Sequence, residues 1–176
     1  MIVTRQPGVS LRWATPEDTG LILALVRELA LYEREPDAVR ADEATLAANL
    51  FGEHPGAEVV IAEADGRPAG FALFFHNFST WLGKRGLYLE DLFVRPEFRG
   101  RGVGQVLMGF LARLAVERDC GRFEWSVLDW NTPALDFYRR LGAVPMDEWT
   151  VQRLSGPALQ ALADSFDAPP APGGSA

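Results

Sequence analysis

The stretch Leu87 to Leu114, LYLEDLFVRPEFRGRGVGQVLMGFLARL, reads as a buried strand, a glycine-rich turn and an amphipathic helix. Leu87 to Val94 is apolar except for Glu90 and Asp91, and Pro96 stops the strand. Gly100, Gly102 and Gly104 sit at alternate positions, flanked by Arg99 and Arg101. Val103, Leu107, Phe110, Leu111 and Leu114 then form the stripe of a helix with one face in a core. Glycines let backbone N–H groups turn toward a ligand, and a helix N-terminus adds partial positive charge, so the expected guest is a phosphate or pyrophosphate. Arg99 and Arg101 would balance its charge.

Working outward, the 176 residues fit one domain, expected to span 1–167, with a low-complexity tail at 168–176 expected to be disordered. No apolar run is long enough for a membrane span and the first ten residues lack a signal-peptide core, so a cytoplasmic location is expected. The single cysteine, Cys120, cannot form an internal disulfide and is read as packing. A net charge of −7 disfavours nucleic acid and anionic membranes as partners and favours a small cation. Against that background Arg95, Arg99 and Arg101 form a local basic patch. His54 and His76 are too few and too scattered for a metal site.

In chain order, Val9–Ala14 reads as a strand, and Thr15-Pro16-Glu17-Asp18 carries the start signals of a helix running to about Glu33, with Leu21, Leu25, Leu29 and Tyr32 facing the core. A shorter helix fits Asp42 to Phe51, closed by Gly52. Val59–Ala62 and Pro68–Phe75 flank Asp65-Gly66, a hairpin signal, and Asn77 to Gly86 reads as a loop carrying Trp81. Beyond the central helix, Arg122–Leu128 is a candidate parallel neighbour of Leu87–Val94, making a βαβ unit. Asn131 caps a helix whose Ala134, Phe137, Tyr138 and Leu141 share a face, with Gly142 at its C-terminal turn. Trp149–Leu154 is a candidate last strand and Pro157–Phe166 a last helix.

By spacing alone the glycine turn leaves alternatives open. GxGxG is not the GxGxxG of a dinucleotide site, because Gln105 takes the third glycine's place, although Glu124 stands where a ribose-binding acid would. No Lys-Ser or Lys-Thr follows, which excludes a nucleoside-triphosphate loop. A plain tight turn also fits.

The run Arg99-Gly100-Arg101-Gly102-Val103-Gly104 after an apolar strand, followed by Asn131 and by Phe137 to Ala143 (FYRRLGA), resembles the coenzyme A signature of the GNAT N-acetyltransferases. Leu31-Tyr32-Glu33, Phe51 to Pro55 (FGEHP), Trp81 to Lys84 (WLGK), Tyr88 to Asp91 (YLED) and Asp129-Trp130-Asn131 resemble the diamine acetyltransferase branch, over roughly Ser10 to Gln160. The resemblance implies an α/β fold of the α+β type: a central, mostly antiparallel sheet, splayed where acetyl-CoA enters and flanked by helices. It further implies a homodimer and direct acetyl transfer, without metal, to a primary amine of a small molecule, such as thialysine, a diamine or a polyamine. A binding module that senses acetyl-CoA or a nucleotide without turnover is the competing class.

The chemistry can be assigned residue by residue. An alkyl ammonium of pKa about 10.4 must lose a proton to attack, at a cost of roughly 4–5 kcal/mol at pH 7, so a carboxylate is wanted near the thioester. By resemblance Glu90 is that base, acting through water with Asp91 beside it; strand alternation should turn one of the two to solvent, and Asp91 is the expected one. Tyr138 resembles the phenol that protonates the expelled thiolate. Backbone groups of Leu92, Phe93 and Val94, the turn from Arg99 to Gln105, and Asn131, Ala134 and Tyr138 match coenzyme positions. Tyr32, Glu33 and Trp81 join Glu90 and Asp91 as substrate positions, where aromatic faces and carboxylates suit a cation. The sequence departs from the polyamine pattern in having Ser79-Thr80 before Trp81 in place of Asp-Pro, which favours thialysine over a long polycation. It departs again in an extra residue between Lys84 and Tyr88 and a shortened Val144–Trp149, which leaves open whether Asp147 or Glu148 is the late substrate acid.

Overall fold

The computed structural model describes residues 1–166; the tail at 168–176 lies outside them. Six strands, β1 (Ile2–Val3), β2 (Val9–Trp13), β3 (Glu58–Ala64), β4 (Arg67–Ser79), β5 (Lys84–Val94) and β6 (Phe123–Trp125), form one sheet in sequence order. Every neighbouring pair is antiparallel except β5–β6, which is parallel as the helical crossover requires. This order also removes the dinucleotide alternative, whose sheet is parallel and doubly wound. Glu124 is instead held by the side-chain amide of Asn77 at 3.0 Å.

Asp65-Gly66 makes the β3–β4 turn with φ of 52° and 73°, the left-handed pair that a two-residue hairpin of this twist demands. The next hairpin is longer than expected. Asn77–Gly86, read as a loop, is largely ladder, with Asn77 opposite Gly86, Phe78 opposite Arg85 and Ser79 opposite Lys84. Backbone hydrogen bonds need no apolar side chain, so polar and glycine residues concealed the strands. In contrast β6 is shorter than Arg122–Leu128, and Trp149–Leu154 forms no strand.

Helix α1 (Thr19–Tyr32) begins beyond a short 3-10 turn, Pro16–Asp18, where Thr15 and Asp18 close a reciprocal capping box. Arg12 locks this start to the sheet, donating to both carboxylate oxygens of Asp18 at 2.6 and 2.8 Å and to Glu63 at 2.8 Å. Ile22, Leu25 and Leu29 are buried with Leu50 of α2 (Glu43–Phe51), Val59, Phe71 and Phe93; Leu21 and Tyr32 pack at the rim of this core. Asp42 caps α2 by accepting from Thr45 N–H at 2.7 Å. On the opposite sheet face, α3 (Val103–Glu117) buries Val103, Leu107, Met108, Leu111 and Leu114, close to the expected stripe, while Phe110 packs edge-on against Trp13.

The described chain divides into two compact units, Met1–Leu128 and a second from Asp129 onward. In the second, α4 (Thr132–Arg140) carries Asn131 at its cap, accepting from Ala134 N–H at 3.4 Å. It ends in a Schellman turn: Gly142 (φ 87°) donates to Arg139 O and Ala143 to Tyr138 O. Helix α5 (Gly156–Asp164) falls where the last helix is expected.

Candidate active site

Strand β5 is interrupted where it carries its acids. Phe74 stands opposite Leu89 and Leu73 opposite Asp91, so Glu90 has no partner across the ladder. This is a β-bulge, and it flips every later residue of β5 to the other face. Asp91 thereby shares a face with Phe93 and the α1 core. The expectation that Asp91 would turn to solvent is corrected: Glu90 is the exposed acid and Asp91 is partly buried. Loss of water, followed by the charges of Glu90 and then Glu33, raises the Asp91 carboxyl to about 6. Burial also raises Glu33.

Tyr32 is the last residue of α1 and Glu33 its C-cap. The chain then turns away at once through Arg34, a non-glycine residue at φ 67°, with Glu35 N–H bonded to Ala30 O. Helix end and bulge thus gather Glu33, Glu90 and Asp91. Trp81 is not gathered with them. It lies in the β4–β5 turn, 87 % exposed, and the seven residue steps of strand from Lys84 to Asp91 put it about 20 Å away along β5. Ser79 is buried in the same turn, where its hydroxyl accepts from Leu82 N–H at 3.3 Å. Its departure from the polyamine pattern thus also serves the turn.

The sheet opens beside the acids. β6 pairs with β5 only from Leu87 to Leu89, so that among the described residues no strand lies beside Glu90–Val94 on that side. Arg95 N–H bonds Ala69 O and Phe93 O lies against Gly70, so these two residues face β4. Val94 between them directs its N–H and C=O to the open edge. Phe93 is corrected accordingly: its backbone serves the ladder and its ring the core, while Leu92 and Val94 present the edge.

Past this edge comes the glycine turn. Gly100 and Gly102 adopt φ of 73° and 80°, and Gly102 is the N-cap of α3. The first intrahelical bond is made by Val106, donating to Gly102 O, which leaves the N–H groups of Val103, Gly104 and Gln105 for an anion. Gln6 lies against Gly102 and Asp65 holds Arg101 at 2.6 Å, two neighbours that only the β1–β2 and β3–β4 turns bring there. The basic patch is smaller than the sequence indicates. Arg95 is neutralised by Glu28, at 2.9 and 2.7 Å, and Arg99 donates to Val94 O at 3.0 Å. An open edge, orphan helix N–H groups and two left-handed glycines fit a pantetheine arm and a pyrophosphate.

In the second unit Tyr138 lies on α4 beside Phe137, ring centroids 5.3 Å apart, and Asn131 and Ala134 form the helix start. Elsewhere His76 sits 3.5 Å from Arg118, its basicity lowered by burial and then by that cation. No described helix is long and apolar enough to cross a membrane.

Residues 22–143 match the family model described as Acetyltransferase (GNAT) family. The chain is 40% identical over 167 residues to a thialysine N-epsilon-acetyltransferase of Sus scrofa, covering 89% of this chain and 98% of that one. It is 32% identical to an L-ornithine N5-acetyltransferase of Arabidopsis thaliana, covering 86% of each. Among solved structures, an integron cassette protein from the mobile metagenome of V. cholerae superposes with a TM-score of 0.76 at 30% identity, covering 90% of this chain and 99% of that chain. The fold, with its bulged and open-edged fifth strand, and these likenesses agree: the chain belongs to the GNAT acetyltransferase family.

Proposed function

We propose that this protein transfers the acetyl group of acetyl-CoA to a primary amine of a small molecule, an amino-acid side chain of the thialysine or ornithine type or a short diamine. The observation that carries this reading is the group of three carboxylates, Glu33, Glu90 and Asp91, at a bulge beside an open strand edge that leads to a glycine turn. Thialysine and ornithine acetyltransferases among the relatives support an amine of that size. The family match spans the boundary between the two units, which supports reading them as parts of one acetyltransferase domain.

Acetyl-CoA supplies an acyl group already activated as a thioester, and the transfer asks for no metal. Val103, Gly104 and Gln105 N–H groups receive the pyrophosphate, and Val94 receives the coenzyme arm at the sheet edge. Glu33 and Asp91 hold the ammonium, and the nearby cation favours ionised Asp91. Glu90, exposed at the bulge, accepts the amine's proton through water, and the nitrogen lone pair then forms the C–N bond as the C–S bond breaks. Tyr138 gives the departing thiolate its proton, and the phenolate left behind is restored by the second proton that the acylated nitrogen sheds.

We further propose a homodimer working in the cytoplasm. Exposed Phe78, Trp81 and Leu82 on the β4–β5 hairpin support a second copy as partner, and the separation of Trp81 from Asp91 within one chain supports Trp81 serving another copy's site. The net charge of −7 supports a cationic small molecule over nucleic acid or an anionic membrane. Thiol release from acetyl-CoA with thialysine, lysine, ornithine, spermidine and putrescine tests the reading. Turnover is expected with the amino-acid amines above spermidine, and tight coenzyme binding with no release for any amine would refute it.

A further inference from the structure

Away from Asp91, toward the β4–β5 turn, the sheet face that carries the α1 core continues as a floor of three strands. Leu73, opposite Asp91, still packs on that core. Two residues further along β4, Phe75 stands opposite Tyr88 with ring centroids 5.2 Å apart, and Asn77 then stands opposite Gly86. On the far side β6 places Glu124 beside Tyr88. Because Gly86 has no side chain, the Asn77 amide crosses it and donates to Glu124 Oε2 at 3.0 Å; a Cβ there would run into Asn77 Oδ1 and Arg122 Cγ. Arg122 Nε lies 2.8 Å from the same carboxylate oxygen without aligning its N–H to it. The Tyr88 hydroxyl meets Ser126 Oγ at 2.7 Å. Phe75, Tyr88, Arg122 and Glu124 are half-buried and Ser126 is exposed.

Among the described residues, Asn77 Oδ1 and Arg122 Nε are the buried side-chain atoms without a hydrogen bond. Buried polar atoms are nearly always paired, so an unmet acceptor and an unmet donor over one glycine point to a polar ligand. The spacing fits one end of the substrate. From Leu73 to Phe75 is roughly 7 Å, about the length of an extended lysine-type side chain. With its reacting nitrogen at Glu90 and Asp91, such a substrate lays its methylenes toward the Phe75 and Tyr88 rings and brings its α-carbon beside Glu124. The charges differ between the two ends as well. Three carboxylates surround the reacting nitrogen, whereas here a carboxylate is joined by a guanidinium, which suits a zwitterion. Resting on the acetyltransferase reading above, we propose that Arg122, Glu124, Tyr88 and Ser126 form the subsite for the α-amino-acid head group of the substrate. Glu124 and Asn77 Oδ1 receive the α-ammonium, and Arg122 receives the α-carboxylate. One hydroxyl hydrogen of the Tyr88–Ser126 pair remains to donate to that carboxylate. A diamine of the same length sets its second ammonium against Arg122 and is disfavoured.

The test compares two pairs of amines that differ only in the α-carboxylate, lysine against cadaverine and ornithine against putrescine, by thiol release with the full chain. Wild-type kcat/KM is expected to favour the amino acid by about tenfold or more in each pair. Arg122→Met keeps the bulk and removes the charge, and the ratio should fall toward one. Tyr88→Phe keeps the ring and should lower the ratio by a smaller factor. Titration with coenzyme A shows that each variant is folded. Equal use of amino acid and diamine by the wild type would overturn the proposal without any variant. A ratio unchanged in an Arg122→Met protein that still binds coenzyme A would overturn it as well. Should Arg122→Met not fold, the wild-type ratio and Tyr88→Phe decide. Turnover without this discrimination sinks the head-group assignment alone, whereas no turnover with any amine sinks the acetyltransferase reading and the assignment with it.

Discussion

Leu73 of β4 stands opposite Asp91, not Glu90, and this one-residue displacement decides which acid of the pair is buried. With Asp91 raised to about 6, the folded protein holds its proton where the unfolded chain, near 3.9, has lost it. Stability therefore falls as pH rises from about 4 to 6 and stays lowered above that, by on the order of 3 kcal/mol at most. Asp91→Asn should melt higher than wild type at pH 8 and nearly with it at pH 4. The same variant should raise the KM for amine ~10–100-fold, by loss of a charged contact, with little change in kcat. Thermal melts across pH and steady-state kinetics check both; a variant less stable at pH 8 would contradict the burial of Asp91.

Glu90→Gln should act on the other constant. Removing the proton acceptor is expected to lower kcat by ~100-fold or more while coenzyme affinity stays as it was. Tyr138→Phe should lower kcat in the same way, through slower protonation of the thiolate. Direct binding of coenzyme A beside turnover measurements separates these outcomes, and rates equal to wild type would refute the roles.

Gly102→Ala places a Cβ 3.0 Å from Gln6 Cδ and a side chain at φ 80°. The left-handed backbone costs about 1–2 kcal/mol, and the flexible Gln6 can yield. Gly100→Ala, at φ 73° with open space around it, should cost only the conformational part. Each should weaken coenzyme A by displacing the N–H groups ahead of α3. Urea unfolding and coenzyme titration of both variants measure the two effects separately.

Asp18 is the acid whose titration runs the opposite way. Hydrogen bonds from Arg12 hold its carboxyl below the usual range, so the stability it contributes is present above about 4 and is lost as pH falls through the lowered folded value. Asp18→Asn should cost about 2 kcal/mol at pH 7, with the deficit shrinking toward pH 2. Denaturant titrations at pH 7 and in acid would show it; a deficit that grows in acid would contradict the Arg12–Asp18 assignment.

Much of this was legible in the residues themselves. Thr15-Pro16-Glu17-Asp18, Asp42, Asn131 and Gly142 announce helix ends because capping is satisfied within a few residues of chain. Asp65-Gly66 announces its hairpin because two left-handed residues are rare and local. The ladder from Asn77 to Gly86 was not legible, since strand pairing depends on a partner and not on the side chains of Phe78 or Arg85. Nor were the engaged states of Arg95 and Arg99, whose partners Glu28 and Tyr32 come from another element.

The sequence by itself determined the order of elements, the glycine turn before α3 and the presence of two adjacent acids on a buried strand, because each is written in short-range chemistry. Only the tertiary structure decided which acid is buried and which backbone groups of β5 remain open. Those depend on register, and one unpaired residue, Glu90, reverses the faces of all that follow in the strand. The stretch from Leu87 to Leu114 names the chemistry; the bulge within it aims the groups that would perform it.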